Sequence, residues 1–209
     1  RNERKNLPLL LEQIVEVLGE VQYDIVVVDD DSIDKTWEVV DTYHDLYPNI
    51  RGLRRIRRVG LASAVVEVVF SCHGEFIAVI DSDLQHDAAL LPDMLKLAQN
   101  GADIVIGSRY LNGSKPEHWT KWRSLISSFA TRLSLKLIKH QVSDPLSGFF
   151  VIRRKIFINC INNIGGRGFK ILFEIIAQYE PKDILIKEIP YQFMDRKEGQ
   201  SKFTLSTVI

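Results

Sequence analysis

The chain has little sulfur chemistry to offer. Cys72 and Cys160 are its two cysteines among 209 residues and stand far apart, so a disulfide framework is excluded and a reducing compartment is expected. Neither charge is in excess. Lys+Arg and Asp+Glu number 27 each, for a formal net charge of +0, which excludes a generic nucleic-acid binder with its basic footprint. No apolar run reaches membrane-spanning length, and there is no signal-peptide pattern, internal repeat or low-complexity tract. What remains is enough chain for one α/β domain, with a hydrophobic content of 45%, ordinary for a globular core. Both ends read as the interior of something longer: Arg1-Asn2-Glu3-Arg4 starts in mid-pattern, and Phe203 to Ile209 turns apolar as the chain stops.

Against that plain background one stretch stands out. Phe76-Ile77-Ala78-Val79-Ile80 runs straight into Asp81-Ser82-Asp83-Leu84-Gln85-His86. The apolar run is too short for a helix and reads as a strand buried on both faces, a central strand of a parallel sheet. Ligands of such sheets bind beyond the carboxyl ends of the strands, so Asp81 and Asp83 are expected at the mouth of a crevice. Two close carboxylates repel unless a cation lies between them. A hard divalent ion, Mg²⁺ or Mn²⁺, commonly takes one or two carboxylates plus substrate phosphates, and Gln85 adds a neutral oxygen. The expectation is a metal–diphosphate site. A D-x-D triplet alone is a weak signal, since the same residues cap helices and solvate turns.

Strands and helices alternate around this stretch. Asn6 caps a helix over Leu7–Leu18. Ile25–Val28 is a strand ending on Asp29-Asp30-Asp31-Ser32, followed by a helix toward Leu46 capped by Ser32 or Asp34. A short strand over Ile50–Leu53, a helix over Leu61–Ser71, a helix capped by Asp87 and a strand over Asp103–Gly107 complete the first half. This order predicts a mainly parallel sheet flanked by helices. Beyond Arg109 a loop leads to a helix over Trp119–Lys139, in which Trp122, Leu125, Ile126, Phe129, Leu133 and Leu137 mix with Lys121, Arg123, Arg132, Lys136 and Lys139. An aromatic and basic amphipathic helix suits a membrane surface; packing on the sheet with a solvated charged face is the plainer account. A strand over Gly148–Ile152 and a helix over Phe169–Tyr179 follow. The last extended stretch, Ile184–Phe193, is confined to an edge or broken by Pro190. One domain over residues 1–209 is expected, its pattern changing after Arg109.

Other residues gain meaning beside the acidic turn. Asp29 and Asp30 also end an apolar strand and can accept hydrogen bonds from a nucleobase or ribose; capping the next helix is the structural alternative. Arg109 follows a strand end, and Arg123 and Ser127 lie one turn apart on the aromatic helix. Two guanidiniums and a hydroxyl converging would clamp a phosphate, whereas each arginine singly would be a surface ion pair. His86 is first a structural histidine and second a ligand or base. Arg196 and Lys202, either side of Gly199, can fold over a diphosphate or be a charged tail.

Taken together these pieces resemble the polyprenol- or dolichol-phosphate mannose synthases and their glucosyl relatives, inverting family 2 glycosyltransferases of the GT-A (Rossmann-like) fold. The likeness runs over essentially the whole chain, through Asn2-Glu3-Arg4-Lys5-Asn6, Val28-Asp29-Asp30-Asp31-Ser32, Asp81 to His86, Gly107-Ser108-Arg109-Tyr110, Asp144 to Phe150 and Arg196 to Lys202. It implies that Asp81, Asp83 and Gln85 bind Mg²⁺ or Mn²⁺ on the donor diphosphate. It further implies that Glu3, Asp29, Asp30, Asp81, Arg196, Ser201 and Lys202 hold the nucleotide sugar, GDP-mannose or UDP-glucose. Arg109, Arg123, Ser127, Ser147 and Gly148 would face the acceptor's polyprenyl or dolichyl phosphate, and Asp83, Arg109 and Arg123 would carry catalysis. The implied place of action is the cytoplasmic face of a membrane, peripherally or through segments outside this chain, with interface helices in the second half. The chain departs from the family pattern in three places. The first strand and a Pro-x-Tyr before Asn2 are absent, Asp31 stands where glycine is usual, and Asp87-Ala88-Ala89 replaces Pro-Pro-Glu. Two rival functions share the acidic strand ends: a transferase acting on a glycan hydroxyl with Asp144 as base, and a Mg²⁺-dependent phosphoacceptor signalling domain, which would be shorter and need a lysine where Arg109 stands.

Overall fold

The computed structural model describes residues 1–56, 60–111, 121–165 and 170–194, with the backbone alone for 121–126 and 128. The first half alternates as its sequence predicts. Helix α1 (Asn6–Leu18) buries Leu7, Leu10, Leu11 and Ile14 on one stripe. Its start differs from expectation: no side chain caps it, because the Asn6 amide turns back to donate to Glu3 Oε2 at 2.7 Å. Strand β1 (Ile25–Asp29) pairs in parallel with β2 (Ile50–Arg54), residue 25 opposite 50. Between them lies α2 (Thr36–Leu46), entered where the Asp34 carboxylate accepts from Thr36 N–H at 3.0 Å and from its hydroxyl at 2.6 Å. Helix α3 (Leu61–Ser71), strand β3 (Phe76–Val79), a short 3₁₀ turn at Ala88–Leu90 and helix α4 (Leu91–Gln99) lead to β4 (Ile104–Ser108).

The second half supplies α5 (Lys121–Leu137), β5 (Phe150–Arg153), α6 (Arg154–Cys160), α7 (Ile171–Ile176) and β6 (Ile186–Pro190). Among the described residues β1 and β2 form one sheet, and the other four strands form a second in the order β3-β5-β4-β6. In the larger sheet β4 and β6 are parallel, while β5 runs antiparallel to both β3 and β4. Three of its four strands therefore share a direction, with β5 reversed among them. This corrects the reading of β3 as a central strand of a parallel sheet. It is at the sheet's edge, paired antiparallel with β5, and its Ala78 is exposed. A run of small and apolar residues does not report direction, and a strand inserted from the second half of the chain leaves no mark near Phe76. Pro190 closes β6 at the opposite edge, where its missing N–H costs no ladder bond.

Side chains alternate across the larger sheet as the pleat requires. Ile104, Ile106, Phe150 and Ile152 join one core with Val65 and Val69 of α3, Phe157 of α6 and Ile171, Leu172, Ile175 and Ile176 of α7. Val105 and Val151 face the other way, onto Ile14, Leu91, Met94, Phe149 and Tyr191. Gly107 sits where nothing larger fits, because a Cβ there would lie 2.6 Å from the Phe149 ring. Helix α6 starts in the residue after β5 with no loop or capping side chain, so nothing in the sequence announced it.

Candidate active site

The turn after β3 is built from its own backbone and from a distant strand. Leu84 takes a left-handed conformation at φ 61°, a costly one for a residue with a Cβ, and its side chain is buried. The bend brings Gln85 N–H to within 3.2 Å of Asp83 Oδ1. Gln85 then grips the segment following β6: its Nε2 donates to the Met194 carbonyl at 3.0 Å, and Met194 N–H returns a 3.0 Å bond to the Gln85 carbonyl. Strain of this kind is kept only where surrounding contacts over-determine it.

Asp81 and Asp83 differ in setting. The Asp81 side chain is 46% exposed, with Oδ2 at 3.3 Å from His86 Nε2, whereas Asp83 is buried. Desolvation pushes the Asp81 carboxyl up, but the His86 hydrogen bond and charge, with Arg109 adding to them, hold it below the ordinary carboxylate value. Gly148 lies against it: a Cβ there would stand 3.0 Å from Asp81 Oδ2 and 3.6 Å from His86 Nε2. The residue expected on the acceptor side thus also keeps space beside the cation side. The donors offered are hard oxygens, with Asp81 half open to solvent, which suits a Mg²⁺ or Mn²⁺ ion that shares its shell with substrate phosphates and water. Among the described residues no three His, Cys, Asp or Glu side chains form a closed metal cage. A cavity of about 360 Å³ touches this turn through Leu84, His86, Asp87 and Met194, and a smaller one of about 70 Å³ lies by Asp29, Trp37 and Arg54. Neither is lined by Asp81 or Asp83: the Asp81 side chain stands half open to solvent, and Asp83 is buried in the turn behind it.

Arg109 follows β4 on the same side of the sheet. Its fork is bidentate on Asp144, Nε at 2.7 Å from Oδ2 and Nη2 at 2.8 Å from Oδ1, and its own N–H donates to Oδ2 at 3.1 Å. Asp144 is fully buried. Burial pulls the guanidinium pKa down, but the Asp144 bond and charge outweigh it and leave it above its ordinary value. The guanidinium also lies 5.7 Å from the Phe193 ring centroid. Phe193 is in turn edge-on to His86 at 5.5 Å. Arg109, Phe193, His86 and Asp81 are therefore linked by successive contacts. Ser127 joins this side through a 2.7 Å hydroxyl–hydroxyl bond to Tyr110. Ser147 does not present its hydroxyl: it is buried, donates to the Gly107 carbonyl at 2.7 Å and accepts from Phe149 N–H at 3.1 Å, so its part is to shape the loop. The Arg123 side chain, Arg196, Ser201 and Lys202 lie outside the described residues.

The acidic cluster after β1 is arranged otherwise. Asp29 accepts from both the N–H and the hydroxyl of Ser32. Asp30 accepts from Arg55 Nε at 2.7 Å and from Gly60 N–H at 3.0 Å. Asp31 pairs with Arg54. Glu3 is buried, with Asn6 on its carboxylate. Three partners escaped the sequence reading: Tyr191 on His86, Asp144 as the anchor of Arg109, and Arg55 on Asp30. Tyr191 is 105 residues from its partner, and no local pattern marks such a pair.

Comparison with known proteins gives the family and the fold. A profile described as Glycosyl transferase family 2 matches residues 1–161. A dolichol-phosphate mannosyltransferase of Pyrococcus furiosus is 39% identical over 211 residues, covering 99% of this chain and 58% of the relative. One from Saccharomyces cerevisiae is 34% identical over 191 residues, covering 89% of this chain and 70% of the relative. The chain thus spans a little over half the length of the first of these. Among solved structures, glucosyl-3-phosphoglycerate synthase of Mycobacterium tuberculosis superposes with TM-score 0.62 at 18% identity, over 93% of this chain and 70% of that one. Its complex with Mn²⁺, uridine diphosphate and glucosyl-3-phosphoglycerate gives 0.60 at 18%, over 95% and 70%. At that identity the likeness is one of fold: the sheet and flanking helices are the GT-A arrangement expected from the sequence.

Proposed function

The chain belongs to glycosyl transferase family 2, and from that premise we propose that it moves a hexose from a nucleotide sugar to a polyprenyl or dolichyl phosphate with inversion, GDP-mannose being the first donor to test and UDP-glucose the second. The relatives named above support the substrate class. The observation that carries the reading is the line of contacts from Asp81 through His86 and Phe193 to Arg109. A carboxylate pair fit for a divalent ion and a carboxylate-anchored guanidinium share one wall.

The chemistry needs no base. A phosphate monoester has its second pKa near 6, so the attacking oxygen is already ionised at neutral pH. Asp144, the base required for a hydroxyl acceptor, is buried behind Arg109 and engaged by it, which favours the phosphate acceptor over that rival. The difficulty is to hold two anions in line, and catalysis becomes positioning and electrostatics. Asp81, Asp83 and Gln85 would hold Mg²⁺ or Mn²⁺, which when bound neutralises the departing diphosphate. Arg109, steered by Asp144, offsets the acceptor's charge, and Arg123 and Ser127 are assigned to the same phosphate. Glu3, Asp29 and Asp30 frame the nucleotide side, and Arg196, Ser201 and Lys202 complete it. Ser147 and Gly148 set the loop between the two. Helix α5 exposes Phe129, Leu133 and Leu137 along one line, with Arg132 and Lys136 also exposed; Lys139, just beyond the helix, pairs with Glu180. Such a face supports peripheral seating on an anionic membrane surface, on the cytoplasmic side in this reading. No helix among the described residues is long and apolar enough to cross a membrane.

The test is transfer itself. Chain, Mn²⁺, GDP-mannose or UDP-glucose and a short polyprenyl phosphate should yield lipid-linked hexose, and Asp83→Ala should yield none. Transfer to a glycan hydroxyl with the lipid phosphate ignored would overturn the proposal.

A further inference from the structure

We propose that His86 and Tyr191 are positioning residues for the cation site, a relay that fixes the Asp81 carboxylate from behind; the inference rests on the function just proposed. Three observations support it. His86 is buried and both ring nitrogens are engaged, Nδ1 at 2.6 Å from the Tyr191 hydroxyl and Nε2 at 3.3 Å from Asp81 Oδ2. An ionised carboxylate only accepts, so Nε2 turns an N–H toward Asp81 while Nδ1 is taken up by the Tyr191 hydroxyl. His86 is then neither a metal ligand nor a base, since no nitrogen faces the substrate side. Second, the ring cannot swing: it packs against Phe149 at 5.4 Å, Tyr191 at 5.6 Å and Phe193 at 5.5 Å between centroids. Third, Tyr191 is locked by the strand it continues. Its N–H donates to the Ser108 carbonyl at 3.1 Å, next to Arg109, and three residues on, Met194 is clipped to Gln85 by the bond pair described above.

The relay therefore ties one oxygen of Asp81, the side-chain orientation of Gln85 and the strand end carrying Arg109 to a single segment, Tyr191–Met194. Holding Asp81 by Oδ2 leaves its other oxygen directed by the same contact. A carboxylate so oriented binds a cation without first giving up side-chain freedom, and partners of this kind typically change metal affinity by roughly 10–100-fold when removed.

The experiment measures Mn²⁺ binding, not turnover. Free Mn²⁺ is read by electron paramagnetic resonance in titrations of the full chain with GDP or UDP present, for the native protein, Tyr191→Phe and His86→Gln. Tyr191→Phe removes one hydroxyl and keeps the aromatic packing, so it folds even if His86→Gln does not. Expected is a Mn²⁺ dissociation constant raised about 10-fold or more in Tyr191→Phe, on top of the fall of a few degrees in melting temperature that orphaning the buried His86 Nδ1 brings. A purely structural role would lower that melting temperature and leave the constant alone. Native-like Mn²⁺ affinity in both variants, the native chain binding normally, overturns the relay and leaves the proposed function standing. A native chain that binds no Mn²⁺ with either nucleotide overturns both.

Discussion

Two strand ends in this protein carry the same sequence signature and have opposite fates. After β1 the run Asp29-Asp30-Asp31 meets its own cations and donors: Ser32, Arg55 with Gly60, and Arg54. After β3, Asp81 is half exposed, with a histidine at one oxygen and a glycine at its back. An apolar strand running into carboxylates says where acid collects. It does not say whether the charge is already neutralised by the fold. That depends on what the next strand brings: β2 ends in Arg54 and Arg55 beside β1, whereas β3's neighbour β5 sends Gly148 and Phe149 ahead of it.

The contrast can be broken by removing a charge at each end. Asp83→Ala, or Asp81→Asn, should cut transfer by at least about 10²–10³-fold while changing stability by about 1 kcal/mol or less for Asp81→Asn; initial rates and thermal melts check the pair. The β1 side should behave in reverse. Arg55 is buried, with Nη1 on Ser63 at 2.9 Å and Nη2 on the Gly60 carbonyl at 3.0 Å besides its hold on Asp30. Arg55→Met strands the Asp30 charge and should cost about 3–5 kcal/mol, read as a lower melting temperature. Adding Asp30→Asn should recover part of that loss. If Arg55→Met melts like the native chain, the two ends are not different in the way described.

Smaller effects sharpen the comparison on the acceptor side and at the surface. Phe129→Ser should weaken binding to anionic vesicles by roughly 10-fold, the order expected for removing one buried large apolar side chain, measured by co-sedimentation; transfer to a detergent-soluble acceptor should stay near native. The smallest is a pH effect at Asp34. Partial burial pushes its carboxyl up, but bonds from Thr36 and the Arg4 N–H outweigh it and leave it below its ordinary value. A depressed folded pKa contributes stability above the ordinary carboxylate range and loses it as pH falls through that range. Asp34→Asn should therefore lower the melting temperature slightly at neutral pH, and the gap should close below about pH 4.

Much of this was legible in the residues. Helix α3, the β1 and β2 strands and the stop at Pro190 follow from local patterns of apolar spacing and turn chemistry, and they fall within a residue or two of expectation; at α2 the cap position is Lys35, with no side-chain cap, and Asp34 one residue earlier bonds Thr36 instead. The acidic turn was legible because Asp81, Asp83 and Gln85 lie within five residues. What stayed hidden was everything joined across the sheet: the reversal of β5, the seating of Arg109 on Asp144, the pairing of Arg55 with Asp30 and of Tyr191 with His86. Those depend on strand order, and strand order is set by packing between segments far apart in sequence. Helix α6 was missed for a local reason, the lack of any loop residue between Arg153 and Arg154.

The central claim is that the turn after β3 holds a divalent ion on a nucleotide diphosphate. The direct measurement is the melting temperature with GDP or UDP, with and without Mn²⁺, for the native chain and Asp83→Ala. Ligand at about 100 times its dissociation constant stabilises a protein by about 2.7 kcal/mol, a rise of roughly 5–10 °C for a domain of this size. The account predicts that rise for the native chain only when nucleotide and Mn²⁺ are both present, and its loss in Asp83→Ala. An equal rise in the variant, or none in the native chain with either nucleotide, would contradict it.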